Sequence, residues 1–496
     1  MHGLSNKQIH SIAAGACLLL AARPLSLRAQ TPASEAVSPG GVTVSGSIRA
    51  RSYSWDWFGD TATGDYTYPA TLVRLGLSKS QPTYDWHIEA ALPLVFNLPT
   101  TAVAAAPQGQ LGLGAAYFAA NSNARNTAAL FLKQGFVRWN SVGRIAGQTL
   151  KVGRFEFNDG MEVTPKNASL ASLKRDRITQ RLLGNFGFSD VGRSIDGVQY
   201  ALTRTGLNLT GVIGRPTQGV FQVNGWPELD VNVFYGAVTG QHGGDRHPCE
   251  WRVFGLGYDD YRDGVVKADN RSLALRSADT GSIAIGTYGG HYLQVMPTAA
   301  GPFDVLVWGA AQAGVWGALS HRAGAVAAEA GWQPAAFGRL QPWMRAGYDY
   351  ASGDGDPSDR THGTFFQLLP TPRVYARLPF FNMMNSRDTF AELIVRPSKK
   401  LAARSDVHAL RLADAHDLWY SGGGAFQRGT FGYTGRPSNG QSGLAMLYDV
   451  SGDYSVTSHF AVSLYYGRAA GQAAIQSIYP TGRYGYLGYG ELLSRF

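Results

Sequence analysis

The thirteen residues from Tyr484 to Phe496 run Tyr-Gly-Tyr-Leu-Gly-Tyr-Gly-Glu-Leu-Leu-Ser-Arg-Phe and stop on an aromatic. Counted backward in twos, one face carries Leu492, Gly490, Gly488, Tyr486 and Tyr484, with Ser494 breaking the run. Strand side chains alternate between faces, so the segment predicts a strand that shows lipid one face and an aromatic belt at the interface. A soluble domain can also end on phenylalanine, so the rest of the chain has to decide.

The other end agrees with a lipid environment. Lys7 lies in a short polar start, residues 12–22 are apolar, and Leu27-Arg28-Ala29-Gln30 suits cleavage after Ala29 or Gln30. Residues 1–30 therefore read as a signal peptide. The apolar stretch is shorter than the roughly 20 residues a spanning helix needs. A lipid anchor at Cys17 is the weaker alternative, because Ala14-Gly15-Ala16-Cys17 lacks a large aliphatic residue three before the cysteine. Removing the signal leaves Cys249 alone, which excludes an intrachain disulfide.

No later run is long and apolar enough for a membrane helix, yet 44% of the residues are hydrophobic and the chain holds 62 glycines and 24 tyrosines. Strands that meet lipid on one side and water on the other need only alternate. In Tyr84-Asp85-Trp86-His87-Ile88-Glu89-Ala90, one face is Tyr84, Trp86, Ile88 and Ala90, and the other is Asp85, His87 and Glu89. The fold class predicted is all-β, a transmembrane antiparallel β-barrel of about 18 strands over residues 42–496, behind a periplasmic lead-in at 31–41.

Turn residues divide the connections into two sets. Short ones are predicted at 79–83, 141–147, 203–206, 297–302, 333–338, 396–401 and Ser451-Gly452-Asp453, on the periplasmic side. Long, turn-rich ones are predicted at 53–68, 97–127, 158–192, 352–385 and 421–441, facing outward or folding into the lumen. The weakest alternation lies at 240–279, so sixteen strands stay open.

Charge bears on cargo. The signal holds Lys7, Arg23 and Arg28 and no acid, so the 44 basic residues fall to 41 against 35 acids. Charge cannot face lipid cheaply, and arginines fall on predicted inward faces at Arg49, Arg74 and Arg345, the last with Asp349. Guanidinium forks bind carboxylates bidentately, and a row of weak sites lets cargo enter and leave. The other reading is that these arginines pair with lumen acids and stiffen the barrel. Residues 158–196 gather Lys166, Lys174, Arg175, Arg177, Arg181 and Arg193, which predicts a basic constriction loop or a site for lipopolysaccharide phosphates.

Other chemistry finds less support. Asp354, Asp356 and Asp359 resemble a calcium loop, but their spacing is not that of an EF-hand and a solvated turn is the default. No Gly-x-Ser-x-Gly elbow, zinc-binding His-Glu-x-x-His or phosphate loop is present, and His408, His416 and His459 lack a readable serine partner. An outer-membrane hydrolase is the enzyme alternative, and a general anion or nutrient uptake porin is the other. Nucleic-acid binding, a cofactor and covalent chemistry are not expected.

Three stretches resemble the outer-membrane alginate export family. The first is Val152-Gly153-Arg154-Phe155-Glu156-Phe157-Asn158-Asp159-Gly160, followed by Arg181-Leu182-Leu183-Gly184 and Gly192-Arg193-Ser194-Ile195-Asp196-Gly197-Val198. The second is Tyr348-Asp349-Tyr350-Ala351-Ser352-Gly353-Asp354 with Pro357, Asp359, Gly363-Thr364-Phe365-Phe366 and Leu369-Pro370-Thr371. The third is Arg396-Pro397-Ser398-Lys399-Lys400-Leu401, then His408, Leu412-Ala413-Asp414 and Asp417-Leu418-Trp419-Tyr420. The resemblance implies a monomeric eighteen-stranded barrel that passes an anionic polyuronate through an arginine-rich pore, with an inward-folded outer loop and a periplasmic plug. It carries Arg154, Arg193 and Asp196 over as motif positions, and Arg74, Arg138 and Arg345 less directly. The turn pattern offers no long periplasmic loop for the plug, unless 240–250 serves. Expected partners are the anionic solute, the bilayer with its lipopolysaccharide, and the barrel-assembly machinery.

Overall fold

The computed structural model describes residues 39–496 apart from 59–60 and 245–246. The predicted signal peptide and most of the predicted lead-in lie outside the described residues. Alternating inward polar and outward apolar side chains produce eighteen antiparallel barrel strands. These are β1 (Thr43–Asp56), β2 (Asp65–Ser80), β3 (Tyr84–Val95), β4 (Phe131–Asn140), β5 (Gln148–Phe155), β6 (Ile195–Arg204), β7 (Leu207–Pro216), β8 (Val231–His242) and β9 (Cys249–Asp260). The second half comprises β10 (Ile283–Met296), β11 (Phe303–Trp316), β12 (Leu319–Trp332), β13 (Trp343–Ala351), β14 (Ser386–Ser398), β15 (Leu401–Arg411), β16 (Gly443–Ser455), β17 (Phe460–Gly471) and β18 (Tyr484–Arg495).

Each strand pairs with its chain neighbours, and β1 closes the barrel on β18 with Ser47 opposite Arg495 and Tyr53 opposite Tyr489. Phe496 finishes the seam. Its backbone exchanges hydrogen bonds of 2.8 and 3.0 Å with Gly46, and its ring occupies the place a side chain at residue 46 would take.

The outer face leaves large aliphatic side chains uncovered, among them Ile213 at 60%, Val253 at 61% and Leu464 at 61% exposure. A row of such residues around a closed sheet is the surface a hydrocarbon layer covers. On β3 the split is as predicted, with Tyr84 and Ile88 exposed and Asp85 buried.

One rim carries only short connections, at 81–83, 141–147, 205–206, 243–248, 297–302, 333–342, 399–400 and 456–459. Three expectations are corrected here, the first being the long connection at 53–68: Tyr53 pairs with Tyr68 in the β1–β2 ladder, and the connection is only 57–64. Ser451-Gly452-Asp453 is strand, because Gly452 continues the ladder opposite Leu464 and Asp453 accepts a 2.6 Å hydrogen bond from the Ser463 hydroxyl. The turn lies at 456–459. Residues 240–279 hold β9, and the His242–Cys249 pair leaves a connection of six residues before it, which settles the count at eighteen and leaves 240–250 too short to plug the lumen.

The opposite rim carries the long connections 96–130, 156–194, 217–230, 261–282, 352–385 and 412–442. Wall side chains cannot fill an eighteen-stranded barrel, and these loops fold inward to occupy it. Within them α1 (Leu113–Ala120) is apolar on all sides and almost wholly buried, and Tyr117 packs on Tyr68 of the wall and on Phe221 of a neighbouring loop. Gly112 makes this possible: its φ of 95° suits glycine, and a Cβ there would meet the Tyr66 hydroxyl at 2.5 Å. The loops also bond to each other, Leu369 N–H donating to Leu182 O and Gly184 N–H to Leu369 O at 2.8 Å each. Phe365, Phe366, Leu369, Phe380 and Phe381 belong to the same buried apolar cluster inside the barrel.

Candidate pore constriction

The basic cluster at 158–196 lies on the loop after β5, and α2 (Ala168–Arg177) presents it to the wall. Asn167 caps the helix by accepting from Leu170 N–H at 3.0 Å. Lys174, Arg175 and Arg177 fall in its last turn, where the helix dipole favours cations. The Arg177 Nε donates to both oxygens of Glu329 on β12 at 3.0 and 2.8 Å. Arg181 reaches the same carboxylate at 3.1 Å and Asp349 at 3.7 Å. Arg345 adds a third guanidinium at 3.0 Å and also pairs with Asp304. Farther along the loop, Lys174 pairs with Glu250 at 2.8 Å, and Arg252 on β9 reaches back to Asp159 and Glu162 at 3.2 Å each. The structure thus brings Arg181, Arg345 and Asp349 together, buried within a few ångströms of Glu329.

The other predicted residues sit on a different arc of the wall. Arg49 donates to the Gly187 and Ser189 carbonyls at 2.7 and 2.5 Å and lies 3.4 Å from Asp190. Arg74 bridges Glu89 and Glu156 at 2.5 and 3.0 Å. Arg138 pairs with Asp85 at 2.9 Å and is partly exposed. Arg154 grips Asp196 through two parallel 2.6 Å bonds, a fork-to-fork contact that fixes β5 to β6. Each of these side chains has a carboxylate partner. Arg193 does not: it donates to Gly423 O at 2.5 Å, its Nε and Nη1 have no partner, and burial pulls its guanidinium down to about 10.

Asp354, Asp356 and Asp359 are not gathered round a common point. Asp354 accepts from the backbone of Asp356 and Gly363 at 3.2 and 3.3 Å, Asp356 from Ser358 at 2.9 Å, and Asp359 from Thr361 at 2.7 Å. Each carboxylate closes its own stretch of loop. Of the three histidines considered for catalysis, His408 contacts Asp388, His416 contacts Asp414 and His459 contacts the Arg495 carbonyl.

Sequence reasoning missed Arg373 and Arg436: Arg373 lies in a 3-10 turn, Pro372–Val374, of the 352–385 connection and Arg436 in a short hairpin, Leu418–Gly422 with Tyr433–Pro437, inside the 412–442 connection, where no wall alternation tells inward from outward. They line a cavity of about 110 Å³ in the lumen together with Trp57, Phe186, Phe188 and Tyr433, and none of its lining residues is acidic. Arg373 bonds the Tyr489 hydroxyl at 2.9 Å and lies over Tyr465 and Phe188. Arg436 lies against both Trp57 and Trp419, donates to the carbonyls of Gln108 and Gln110 at 2.9 and 2.8 Å, and has its charge disfavoured by burial.

Comparison with known proteins places this geometry. A family model described as alginate export matches residues 103–477. Among solved structures, the chain is similar to three outer-membrane proteins of Pseudomonas aeruginosa. They are OccK9 (OpdG), at 11% identity and TM-score 0.56 over 92% of this chain and 98% of that one; OccK2 (OpdF) in complex with glucuronate, at 10% and 0.55 over 93% and 99%; and OpdK with vanillate, at 10% and 0.54 over 91% and 98%. At such identities the likeness is one of fold. Comparison with curated protein sequences finds no match.

Proposed function

From the premise that the chain belongs to the alginate export family, and is thus an outer-membrane channel rather than an enzyme, we propose that it passes an anionic solute, an acidic saccharide such as alginate or its uronate units. The observation that carries this reading is the cavity with Arg373 and Arg436 and no carboxylate. The predicted wall arginines, by contrast, are matched by acids, so their fields cancel at short range. A guanidinium without an ionic partner in a low-dielectric cavity attracts a carboxylate more strongly than one already paired. Aromatic walls at Trp57, Phe186 and Tyr433 offer flat apolar faces to a sugar ring. The complex of OccK2 with glucuronate supports a uronate as the cargo class.

A second reading, an aromatic carboxylate taken up as a nutrient, is favoured by the same aromatic lining and by the OpdK complex with vanillate. Planar-bilayer recordings of the mature channel test both. Anion preference is expected, with current block by oligouronate exceeding block by a neutral oligosaccharide of equal length, and with Arg373→Ala and Arg436→Ala each relieving that block. Cation preference in the unmodified channel would end the anion reading. Block by vanillate alone would favour the second cargo.

A further inference from the structure

We propose that the lumen holds a binding site for one divalent transition-metal cation, formed by Asp406, His408 and Asp449. β15 places Asp406 and His408 two residues apart, on one inward face. β16 sets Asp449 directly opposite Asp406 in the ladder. The ligand atoms of the three lie within 4.8 Å of one another, and a modest contraction brings them to the ~2.0–2.2 Å bonds such ions make with imidazole and carboxylate. Among the described residues, this is the group of at least three His, Cys, Asp or Glu side chains with that spacing.

Two further observations point to a ligand. Asp449 is only 4% exposed and neither of its carboxylate oxygens has a hydrogen-bond partner. Buried unpaired carboxylates are costly, and a cation between Asp449 and Asp406 would satisfy them. His408 bonds Asp388 through Nδ1 at 2.8 Å, which leaves Nε2 to a cation. A carboxylate behind the ring is the arrangement that orients metal-binding histidines and makes them more basic.

Charge on this arc agrees. Asp388, Glu392, Asp406 and Asp449 face three guanidiniums: Arg404, bonded to Asp406 at 2.9 Å and to Glu392, Arg377, bonded to the Ser451 hydroxyl, and Arg373, whose charge acts on Asp449, while Arg177 is engaged by Glu329. Arg345 approaches Glu392 only at 4.0 Å and is engaged by Asp304 and Glu329. Carboxylates therefore outnumber guanidiniums on this arc, which favours a bound cation. The imidazole selects zinc, cobalt or nickel over calcium and magnesium, which prefer oxygen alone. Three protein ligands leave a coordination position for water.

The test uses the assembled barrel in detergent, stripped with a chelator and titrated with Zn²⁺ by calorimetry and with Co²⁺ by visible absorption. One equivalent should bind, with a d–d spectrum showing nitrogen and oxygen ligands. His408→Ala and Asp449→Asn should each weaken binding at least tenfold, and Asp388→Asn by about tenfold to hundredfold. His416→Ala, at an exposed loop histidine, should change nothing. Asp449→Asn keeps the shape of the side chain, so it decides the matter if His408→Ala fails to assemble. Absence of stoichiometric binding by the unmodified barrel, or binding that survives Asp449→Asn undiminished, overturns the proposal.

Discussion

Replacing Glu329 with glutamine should release the inward loop without opening the barrel. Glu329 is fully buried and receives Arg177, Arg181 and Arg345 at 2.8 to 3.1 Å. After the change Arg345 keeps Asp304 and Arg181 keeps Asp349, but Arg177 loses the one carboxylate with which it forms an ion pair. Removing one partner of a buried pair costs about 3–5 kcal/mol. At ~1.4 kcal/mol per tenfold, that is roughly two to three and a half powers of ten in the equilibrium between docked and undocked loop. The sheet itself is held by its own ladder and should not feel it. Hydrogen exchange read by mass spectrometry should show peptides spanning 168–183 exchanging faster by at least a hundredfold, with those from β11 and β17 unchanged. Protection of 168–183 equal to that of the unmodified protein would show that the apolar core around Phe365 and Leu369 holds the loop and that the ion-pair cluster is dispensable.

Asp417, on a luminal loop, is pushed up to about 6 by burial, although it accepts hydrogen bonds from Thr364 and Tyr420. A carboxyl whose folded value exceeds its unfolded one stabilises below the unfolded value and loses that contribution as pH rises through the folded value, so loop 412–442 should be better protected from exchange at pH 4 than at pH 7, and Asp417→Asn should flatten the difference. Deleting Phe496 removes both backbone bonds to Gly46 and the ring over it, and should lower the yield of assembled barrel in outer-membrane fractions; an unchanged yield would show the seam needs neither. Arg373→Glu with Arg436→Glu should move reversal potentials toward cation preference, less so at high salt where mobile ions screen the pore, and a shift equalled by Arg138→Glu would remove the special place given to the acid-free cavity. The mature chain should give a strand-dominated circular dichroism spectrum and migrate faster unheated than boiled.

The barrel was legible because its physical cause is local. A strand between lipid and water must alternate, and Tyr84 to Ala90 does so without reference to anything distant. Inward direction was readable for the same reason at Arg49, Arg74 and Arg345. The partner that each arginine meets was not readable, since Arg177 finds Glu329 and Arg51 finds Glu491 across much of the chain. Gly452 misled because glycine serves equally in a turn and in a wall strand. Arg373 and Arg436 were invisible for want of any wall alternation in the connections that carry them, and the pairing of His408 and Asp406 with Asp449 depends on a register between β15 and β16 that a 31-residue connection separates.

The seam between β1 and β18 also bears on how the barrel comes into being. Its partners, Ser47 and Arg495, stand at opposite extremes of the sheet's sequence, whereas every other wall contact joins strands adjacent in order along the chain. Hairpins can therefore form early and add to one another, but the step that joins β1 to β18 carries the largest loop-closure entropy in the molecule. Until then two bare strand edges are exposed, each a template for pairing with another copy. Assembly should thus show a long-lived open sheet whose disappearance is the slow event, and it is at this stage that the protein is most prone to aggregate.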